Sequence, residues 1–315
     1  MTIMSCISAK SLVKSYGDVN AVDDIDLSVK PGTIFGFLGP NGAGKSTTIK
    51  LLTTLIHPNK GHLSILGIDA VRSPLEVRKK IGVVLQQPSY EPTLTVEKSL
   101  IKYAMMWDVP VSQRKKRAEQ LMADFDLSHI KNQKTEDLSI GQRRRVQVAR
   151  EFMHDMQLLF LDEPTVGLDP SARRNLLNYL KDRAKSGLTI FYTTHVLTEA
   201  EYICDEIAII NKGKIIAVDS PEELKNRLGQ QKTIKIHTSK KVEISQLLAD
   251  IDDCTIEHAT MTNITIHSNE STKVLSKVLQ ILHENGIEIE DLSAVPTNLE
   301  EIFLKVVESS NASNN

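Results

Sequence analysis

The chain has 315 residues, and its 38 lysines and arginines nearly balance 40 aspartates and glutamates, for a net charge of −2. Charged residues make up 25% of the sequence and hydrophobic residues 41%, values that exclude a disordered or fibrous chain. The near-neutral charge gives no support to a nucleic-acid coat or a polybasic membrane binder. At roughly 100–200 residues per domain, the length predicts about two domains.

The apolar runs and the cysteines both favour a cytosolic protein. Runs such as Leu158–Leu161 and Ile207–Ile210 have the length of a strand, far below the ~18–20 residues of a transmembrane helix. The first residues, MTIMSCISAK, lack a basic region followed by an apolar stretch, so we expect no secretion signal. The cysteines are widely spaced and are expected to be reduced thiols: Cys6, Cys204 and Cys254.

Strand-length apolar runs alternate with helix-like stretches over residues 1–229. The runs are Thr33–Leu38, Ile81–Leu85, Gln157–Leu161, Leu188–Thr193 and Ile207–Ile210. This alternation is typical of a mainly parallel sheet covered on both faces by helices. Between Pro92 and Asp155 the apolar spacing is helical, which predicts a helical insertion at about residues 92–155.

The composition changes after Gly229, which predicts a linker at Gln230–Lys232 and a second, small α+β domain at residues 230–308. Its predicted order is β-α-β-β-α-β, that of a split βαβ domain. The predicted elements are Thr233–His237, Val242–Asp250, Thr255–His258, Ile264–His267, Ser271–Asn285 and Ile287–Leu292. A last helix is predicted over Leu299–Val307, and residues 309–315 are expected to be a disordered tail.

A glycine-rich segment, GPNGAGKS at Gly39–Ser46, follows the first of these runs and fits G-x-x-x-x-G-K-[ST]. Its glycines let backbone N–H groups surround phosphate oxygens, and the helix that follows adds the positive end of its dipole. Lys45 can reach the β- and γ-phosphates, and the Ser46 hydroxyl can ligate Mg²⁺. The expected nucleotide contacts are Gly39, Pro40, Asn41, Gly42, Ala43, Gly44, Lys45, Ser46 and Thr47.

Two carboxylates, Asp162 and Glu163, directly follow the run Gln157–Leu161. Open parallel sheets bind their ligands at the carboxyl ends of the strands. We therefore expect Asp162 to hold Mg²⁺, directly or through water, and Glu163 to face the γ-phosphate as a general base. The alternative role of such an acidic pair is to cap a helix.

The segment LSIGQ at Leu138–Gln142 narrows the class of NTPase, because it resembles the LSGGQ signature of ABC-type ATPases and lies just ahead of the acidic pair, as in that family. Other features resemble family elements in the same order. They are Tyr16 for the aromatic residue that stacks on adenine, Gln86 for the Q-loop glutamine, Val166–Asp169 for the D-loop and His195 for the switch histidine. The resemblance covers about Ile7 to Gly229.

The resemblance implies an α/β P-loop NTPase fold, the ABC ATPase cassette with an inserted helical subdomain, that binds ATP and Mg²⁺. Gln86 would join Ser46 and Asp162 at the metal, although its neighbour Gln87 could take this place. The implied catalytic residues are Glu163, His195 and Gln86. In this family the signature of one subunit covers ATP bound to another, so the resemblance also implies a homodimer. The residues expected to act across it are Ser139, Gly141, Gln142 and Asp169.

Two features of the signature region depart from the pattern or allow another interpretation. Ile140 stands where the family has the first of two glycines, a residue that commonly marks a positive φ or a close backbone approach. This departure puts the strength of the γ-phosphate contact in question. Arg143–Arg145 could suggest nucleic-acid binding, but on a helix we expect a solvated basic face with at most one contact to nucleotide.

The resemblance leaves two functions. The first is the ATPase subunit of a transporter whose membrane-spanning permease subunits are separate chains, which would place this chain in the cytoplasm at the inner face of the membrane. The second is a soluble ABC ATPase acting on ribosomes or DNA. Translation-type members usually carry two cassettes and DNA-repair members a long coiled coil, and this sequence has neither. The net charge does not favour a polyanion either, so we expect no nucleic-acid partner.

The C-terminal segment SAVPTNLEEIFLKVV at Ser293–Val307 resembles the closing segment of ABC-2-type exporters, which include daunorubicin-resistance and sodium-extrusion ATPases. Its apolar stripe, with Leu299 and Phe303, would also suit packing in any small domain. The resemblance implies export. It also implies that the helical insertion and the Gln86 loop form a groove for a cytoplasmic helix of the permease. Tyr103–Trp107 would either line that groove or be buried in the subdomain.

Overall fold

The computed structural model describes residues 5–87, 89–228, 232–238, 254–259, 262–268, 271–296 and 303. The chain divides into two compact units, Met1–Ser220 and Pro221–Asn315. The division precedes the helix Pro221–Leu228, whereas the sequence predicts a boundary after it, at residue 229. Within the described residues, no helix combines the length and the apolar character that a membrane span needs.

The first unit contains ten strands and seven α-helices in its described residues. Strands β1–β10 are Ile7–Tyr16, Val19–Val29, Ile34–Leu38, Lys60–Ile65, Ile68–Asp69, Ile81–Val84, Leu158–Asp162, Thr189–Thr193, Glu206–Asn211 and Lys214–Asp219. Helices α1–α7 are Lys45–Leu52, Pro74–Arg78, Val96–Met106, Val111–Asp124, Ile140–Glu151, Pro170–Lys185 and Leu197–Ile203.

The main sheet of this unit has the strand order β10-β9-β3-β8-β7-β6, and all its pairs are parallel except β10 with β9. Every residue of β3, β7 and β8 is buried, as expected for central strands covered on both faces. The ring of Phe191 packs 5.7 Å from Phe35 and 5.6 Å from Phe160, centroid to centroid. The predicted parallel sheet is confirmed, and it places the carboxyl ends of β3, β8 and β7 side by side.

A second sheet of antiparallel strands, in the order β2-β1-β4-β5, was not expected from the sequence. Its buried face includes Ile7, Leu12 and Val22, which belong to the same hydrophobic core as the main sheet. This sheet therefore supports the phosphate loop region from one side.

The predicted helical insertion consists of α3, α4 and α5, with short 3₁₀ turns at Ser128–Ile130 and Thr135–Asp137. The segment Tyr103–Trp107 is partly packed inside the helical subdomain and partly exposed on its surface. The Tyr103 hydroxyl donates to Glu151 Oε1 at 2.6 Å, while Met105 and Met106 are 54% and 66% exposed.

The second unit begins with α8 (Pro221–Leu228) and has a four-stranded antiparallel sheet. Its further elements are β11 (Lys232–Thr238), β12 (Cys254–Ala259), β13 (Asn263–Ser268), α9 (Ser271–Glu284) and β14 (Ile289–Pro296). The sheet order is β12-β13-β11-β14. Its core contains Ile234, Ile236, Ile264, Ile266, Val274, Val278, Leu282 and Ile287.

The predicted strands of this unit and the helix at 271–285 are confirmed to within a few residues. Lys232, predicted to lie in a linker, is instead the first residue of β11. The predicted helix Val242–Asp250 and the tail at 309–315 lie outside the described residues, as does Leu299–Val307 apart from Phe303.

Candidate active site

The phosphate loop runs from the end of β3 to the start of α1, and close packing leaves no room for a side chain at two of its glycines. A Cβ at Gly39 would lie 2.4 Å from the carbonyl oxygen of Ile210 in β9. Gly44 caps α1 with a φ of 110°, and a Cβ there would lie 2.3 Å from the carbonyl oxygen of Ala21 in β2. The loop is therefore backed by both sheets, and only glycine fits at these two positions.

Lys45 lies inside this loop and is only 7% exposed. Its Nζ donates to the carbonyl oxygens of Gly39 at 2.7 Å and Pro40 at 3.1 Å. Burial lowers the pKa of its ammonium group, and the nearby carboxylates of Glu163 and Asp162 act in the opposite direction. The loop thus presents a positive charge together with backbone N–H groups, the combination that polyphosphate binding requires.

Ser46 and Asp162 face each other across the end of the main sheet. Ser46 Oγ donates to Asp162 Oδ2 at 3.2 Å, and Thr193 Oγ1 donates to Asp162 Oδ1 at 2.6 Å. Thr193 was missed in the sequence, although it ends β8 two residues before His195 and pairs in register with Asp162. The hydroxyl of Thr193 orients the carboxylate toward Ser46.

Glu163 is brought together with two other predicted catalytic residues. Gln86 Nε2 donates to Glu163 Oε2 at 3.3 Å, and His195 Nδ1 lies 3.3 Å from Glu163 Oε1. The Glu163 backbone is left-handed, with a φ of 49°, and its N–H donates to the carbonyl oxygen of Thr193 at 3.1 Å. Gln86 rather than Gln87 faces the carboxylate. Glu163 does not begin a helix, so the capping alternative is excluded.

The signature segment forms the start of α5. Ser139 and Gln142 make a capping box, in which Ser139 Oγ accepts from Gln142 N at 3.2 Å and Gln142 Oε1 accepts from Ser139 N at 2.9 Å. Gly141 lies against the D-loop of the same chain, because a Cβ there would be 2.7 Å from the carbonyl oxygen of Gly167. Ile140 is the first helical residue and is 69% exposed. Its backbone is therefore unstrained, and the departure from glycine does not distort the signature.

Asp169 and Tyr16 are positioned by local contacts. Asp169 caps α6 by accepting from the N–H of Ala172 at 2.9 Å, and this hydrogen bond lowers the pKa of its carboxyl. Tyr16 ends β1 and is 53% exposed, with Lys14 Nζ 5.5 Å from its ring centroid. One face of an exposed ring is suited to stacking on a planar ligand.

The prediction of a solvated basic face at Arg143–Arg145 is wrong for Arg144, which is only 6% exposed. Arg144 Nη2 donates to the carbonyl oxygens of both Asp162 and Glu163. Arg143 is part-buried and donates to Tyr90 Oη at 2.9 Å. Arg145 Nη1 contacts Asp126 Oδ2 at 3.0 Å. Sequence spacing gives no signal for the burial of Arg144, because that burial depends on the position of the carbonyl groups at the end of β7 in the folded chain.

A glycine-rich loop between a parallel strand and a helix, facing an acidic pair on a neighbouring strand, defines a P-loop NTPase. Residues 22–166 match the ABC transporter family model, and residues 220–307 match the model of the C-terminal domain of DrrA1-3-like ATP-binding proteins. The linearmycin resistance ATP-binding protein LnrL of Bacillus subtilis is 34% identical, over 95% of this chain and 97% of that protein. The daunorubicin resistance ATP-binding protein DrrA2 of Streptomyces coeruleorubidus is 32% identical, over 95% and 94%. The chain belongs to the ABC transporter family, binds ATP and is an ATPase.

Solved structures give the same fold for the first unit. An ATP-binding subunit of an ABC transporter superposes with a TM-score of 0.67 at 29% identity, over 71% of this chain and 94% of that chain. A dimeric ATP-binding cassette in a post-hydrolysis state, bound to ADP and Pi, superposes with a TM-score of 0.64 at 26% identity, over 68% and 98%. The ABC cassette fold and the resemblance to daunorubicin-resistance ATPases are confirmed.

Proposed function

We propose that two copies of this chain hydrolyse ATP·Mg²⁺ at composite sites and power export through separate membrane-spanning subunits. The observation that carries the proposal is the contact of Glu163 with both Gln86 and His195, beside the pair Ser46 and Asp162. The names of the relatives, which refer to resistance to linearmycin and daunorubicin, support export of a small organic molecule.

The donor set at the sheet end fits Mg²⁺. Ser46 Oγ and Asp162 Oδ2 are hard oxygen donors 3.2 Å apart, and adjacent ligands of an octahedral Mg²⁺ lie about 2.9 Å apart. These two residues, with the amide oxygen of Gln86, would hold the ion. When bound, Mg²⁺ neutralises charge on the β- and γ-phosphates. Lys45 and backbone N–H groups of the phosphate loop would bind the same phosphates.

Glu163 is the residue that accepts the proton of the attacking water. Gln86 and His195 both contact its Oε atoms, so the three side chains together could bind and orient the attacking water. His195 is the more exposed member of its pair with Glu163 and can contact the γ-phosphate itself. Thr193 fixes the backbone of Glu163 and the carboxylate of Asp162 at once.

The second copy supplies the signature. Ser139, Gly141 and Gln142 present the N-terminus of α5, and Asp169 presents that of α6, so both helix dipoles point their positive ends outward. In a homodimer these groups would cover the ATP of the partner, with Tyr16 stacked on adenine. A contact in trans to the reacting phosphate contributes about 10³–10⁵ in rate in other NTPases.

The permease partner is expected to bind the helical subdomain at the inner face of the membrane. Met105 and Met106 give this subdomain two adjacent exposed apolar side chains, which suit an adaptable contact with a helix. Co-purification with a protein of several transmembrane spans supports this part of the proposal, and isolation on ribosomes or DNA contradicts it.

Glu163→Gln tests the assignment of the base. The substituted amide keeps the volume and one acceptor oxygen but cannot take a proton, so we expect kcat to fall at least about 10²-fold. ATP binding, measured with a fluorescent analogue, should be retained. Glu119→Gln, at an exposed position of α4, is the control and should leave kcat unchanged. Undiminished steady-state hydrolysis by the Glu163→Gln chain would refute the assignment.

A further inference from the structure

Arg144 has an acceptor for every N–H of its buried guanidinium group. Nη2 donates to Asp162 O at 2.7 Å and Glu163 O at 2.6 Å, and Nε donates to Pro164 O at 3.2 Å. Nη1 donates to Leu85 O at 2.7 Å and to Gln147 Oε1 at 2.9 Å. The acceptors are backbone carbonyls and one amide, so the side chain is saturated without any carboxylate partner.

The four carbonyl acceptors come from the two segments that carry the catalytic side chains. Leu85 follows β6 and directly precedes Gln86, whereas Asp162 and Glu163 lie at the end of β7. Arg144 itself lies in the first turns of α5, the helix that the signature begins. A single side chain therefore links the signature helix to both loops that face the γ-phosphate.

The interaction also stabilises an unfavourable backbone. A residue other than glycine with a left-handed φ costs roughly 1–2 kcal/mol, and Glu163 has a φ of 49°. Arg144 Nη2 binds the carbonyl oxygen of Glu163, and Thr193 accepts its N–H, so the peptide groups on both sides of the residue are fixed. Burial lowers the pKa of the Arg144 guanidinium, and Asp162 and Glu163 oppose that change.

We propose that Arg144 is a positioning residue that couples the location of the signature helix to the geometry of Glu163 and Gln86 in the same subunit. The proposal rests on the proposed role of Glu163 as the base. Movement of α5 shifts the carbonyl groups of residues 85 and 163 together, because one rigid planar fork binds both. Lysine cannot replace this function, since its ammonium is a point charge on a flexible stem.

Arg144→Lys tests the proposal, with Arg145→Lys as the matched control in the same arginine run. Arg145 donates to Phe125 O and Asp126 and to neither the Gln86 loop nor the Glu163 loop, and lysine keeps the positive charge that it places near Asp169. We expect Arg144→Lys to lower kcat at least about 10-fold while the KM for ATP stays within about 2-fold, because phosphate binding by the loop is untouched. Arg145→Lys should leave both constants within about 2-fold. Wild-type kcat in the Arg144→Lys chain would refute the proposal, as would an equal loss in the control.

A second variant covers the case in which lysine at residue 144 prevents folding. Gln147→Met removes one acceptor of Nη1 and also the Nε2 hydrogen bonds to Leu85 O and Gln87 O, so it loosens the same link between α5 and the Gln86 loop. It should lower kcat by a smaller factor, about 3-fold, at unchanged KM. Circular dichroism and binding of a fluorescent ATP analogue check that each chain is folded. An unchanged kcat in a folded Gln147→Met chain would count against the proposal.

The double variant separates this proposal from the assignment of the base. If Arg144 acts through Glu163, Arg144→Lys should not lower further the residual rate of the Glu163→Gln chain, because residues that act as a unit are not additive. An additive loss would refute the coupling of Arg144 to Glu163, even if Glu163 is the base. Undiminished hydrolysis by Glu163→Gln alone would refute the base and leave the kcat effect of Arg144→Lys to be explained without it.

Discussion

Ile140 replaces the family glycine at the signature, yet the structure accommodates it through a contact with the D-loop. Its backbone is helical, and a Cβ placed on Gly167 would lie 2.8 Å from Ile140 Cγ2. Gly167 also has a φ of 80°, a conformation that side chains rarely adopt. Glycine at residue 167 is therefore required both by its conformation and by the isoleucine beside it.

Gly167→Ala should destabilise the protein through both effects. The left-handed backbone costs roughly 1–2 kcal/mol, and the clash with Ile140 adds to it. Ile140→Ala in the same chain should relieve the clash and restore that part of the free energy of unfolding, but not the part lost to the backbone conformation. Urea unfolding measures both. Gly187→Ala is the control, because Gly187 has a φ of 101° and open space around its Cβ position. An equal cost of Gly167→Ala with and without Ile140→Ala would contradict the predicted contact.

At this scale, the sequence predicts the residues whose chemistry is encoded in local spacing. Sequence alone identifies the phosphate loop, Gly39–Ser46, and the acidic pair, Asp162 and Glu163. Each directly follows an apolar run that is recognisable as a strand. Arg144 and Thr193 could not be assigned, because their roles depend on which strand ends are neighbours in the sheet. An arginine inside a basic run is indistinguishable by pattern from a solvated one.

Among the elements, the parallel strands are predictable and the antiparallel sheet is not, for a physical reason. β3, β7 and β8 are buried on both faces and form continuous apolar runs. β1 and β2 have one solvated face, and their alternation is interrupted by register shifts and by positive φ at Ser11 and Asp24. Such bulges break the period of two on which strand recognition depends.

The helical subdomain is joined to the main sheet by a buried carboxylate at the end of α5. Glu151 Oε1 accepts from Tyr103 Oη in α3 at 2.6 Å, and Oε2 accepts from the N–H of Val83 in β6 at 3.1 Å. Burial raises the pKa of Glu151 to about 7, against the opposing effects of these two donors and of the charge on Arg150. We therefore expect the stability of this interface between the helical subdomain and the main sheet to depend on pH.

Glu151→Gln should remove this sensitivity. The folded pKa of about 7 lies above the unfolded value of 4.5, so the folded chain binds the extra proton and loses stability as the pH rises from about 4.5 through 7. Glutamine is always neutral, and its amide can accept from Val83 and donate to Tyr103. In urea unfolding, the stability of the variant relative to wild type should increase from pH 5 to pH 8, by up to about 3 kcal/mol. Glu119→Gln is the exposed control, and a difference independent of pH would contradict the prediction.

At the scale of the whole molecule, each copy carries a phosphate loop and a signature that have different contacts within the chain. Within one chain, the contacts of Ser139, Gly141 and Gln142 are with each other and with the D-loop. The phosphate loop contacts Ala21 and Ile210 behind it and Asp162 in front. One chain therefore supplies both halves of a composite site, but the proposed function needs a second copy to bring the halves together.

ATP should convert the Glu163→Gln chain from a monomer of 35.1 kDa to a dimer of about twice that mass, as measured by light scattering. A bulky charge at the signature should prevent this, so the added substitution Ser139→Arg should hold the mass at the monomer value with ATP still bound. Ser112→Arg is the control, because Ser112 lines a cleft with Leu188 and Thr189, at the opposite end of β8 from the active site. Dimerisation that survives Ser139→Arg, or that Ser112→Arg abolishes equally, would show that the signature is not the surface that closes over the nucleotide of the partner.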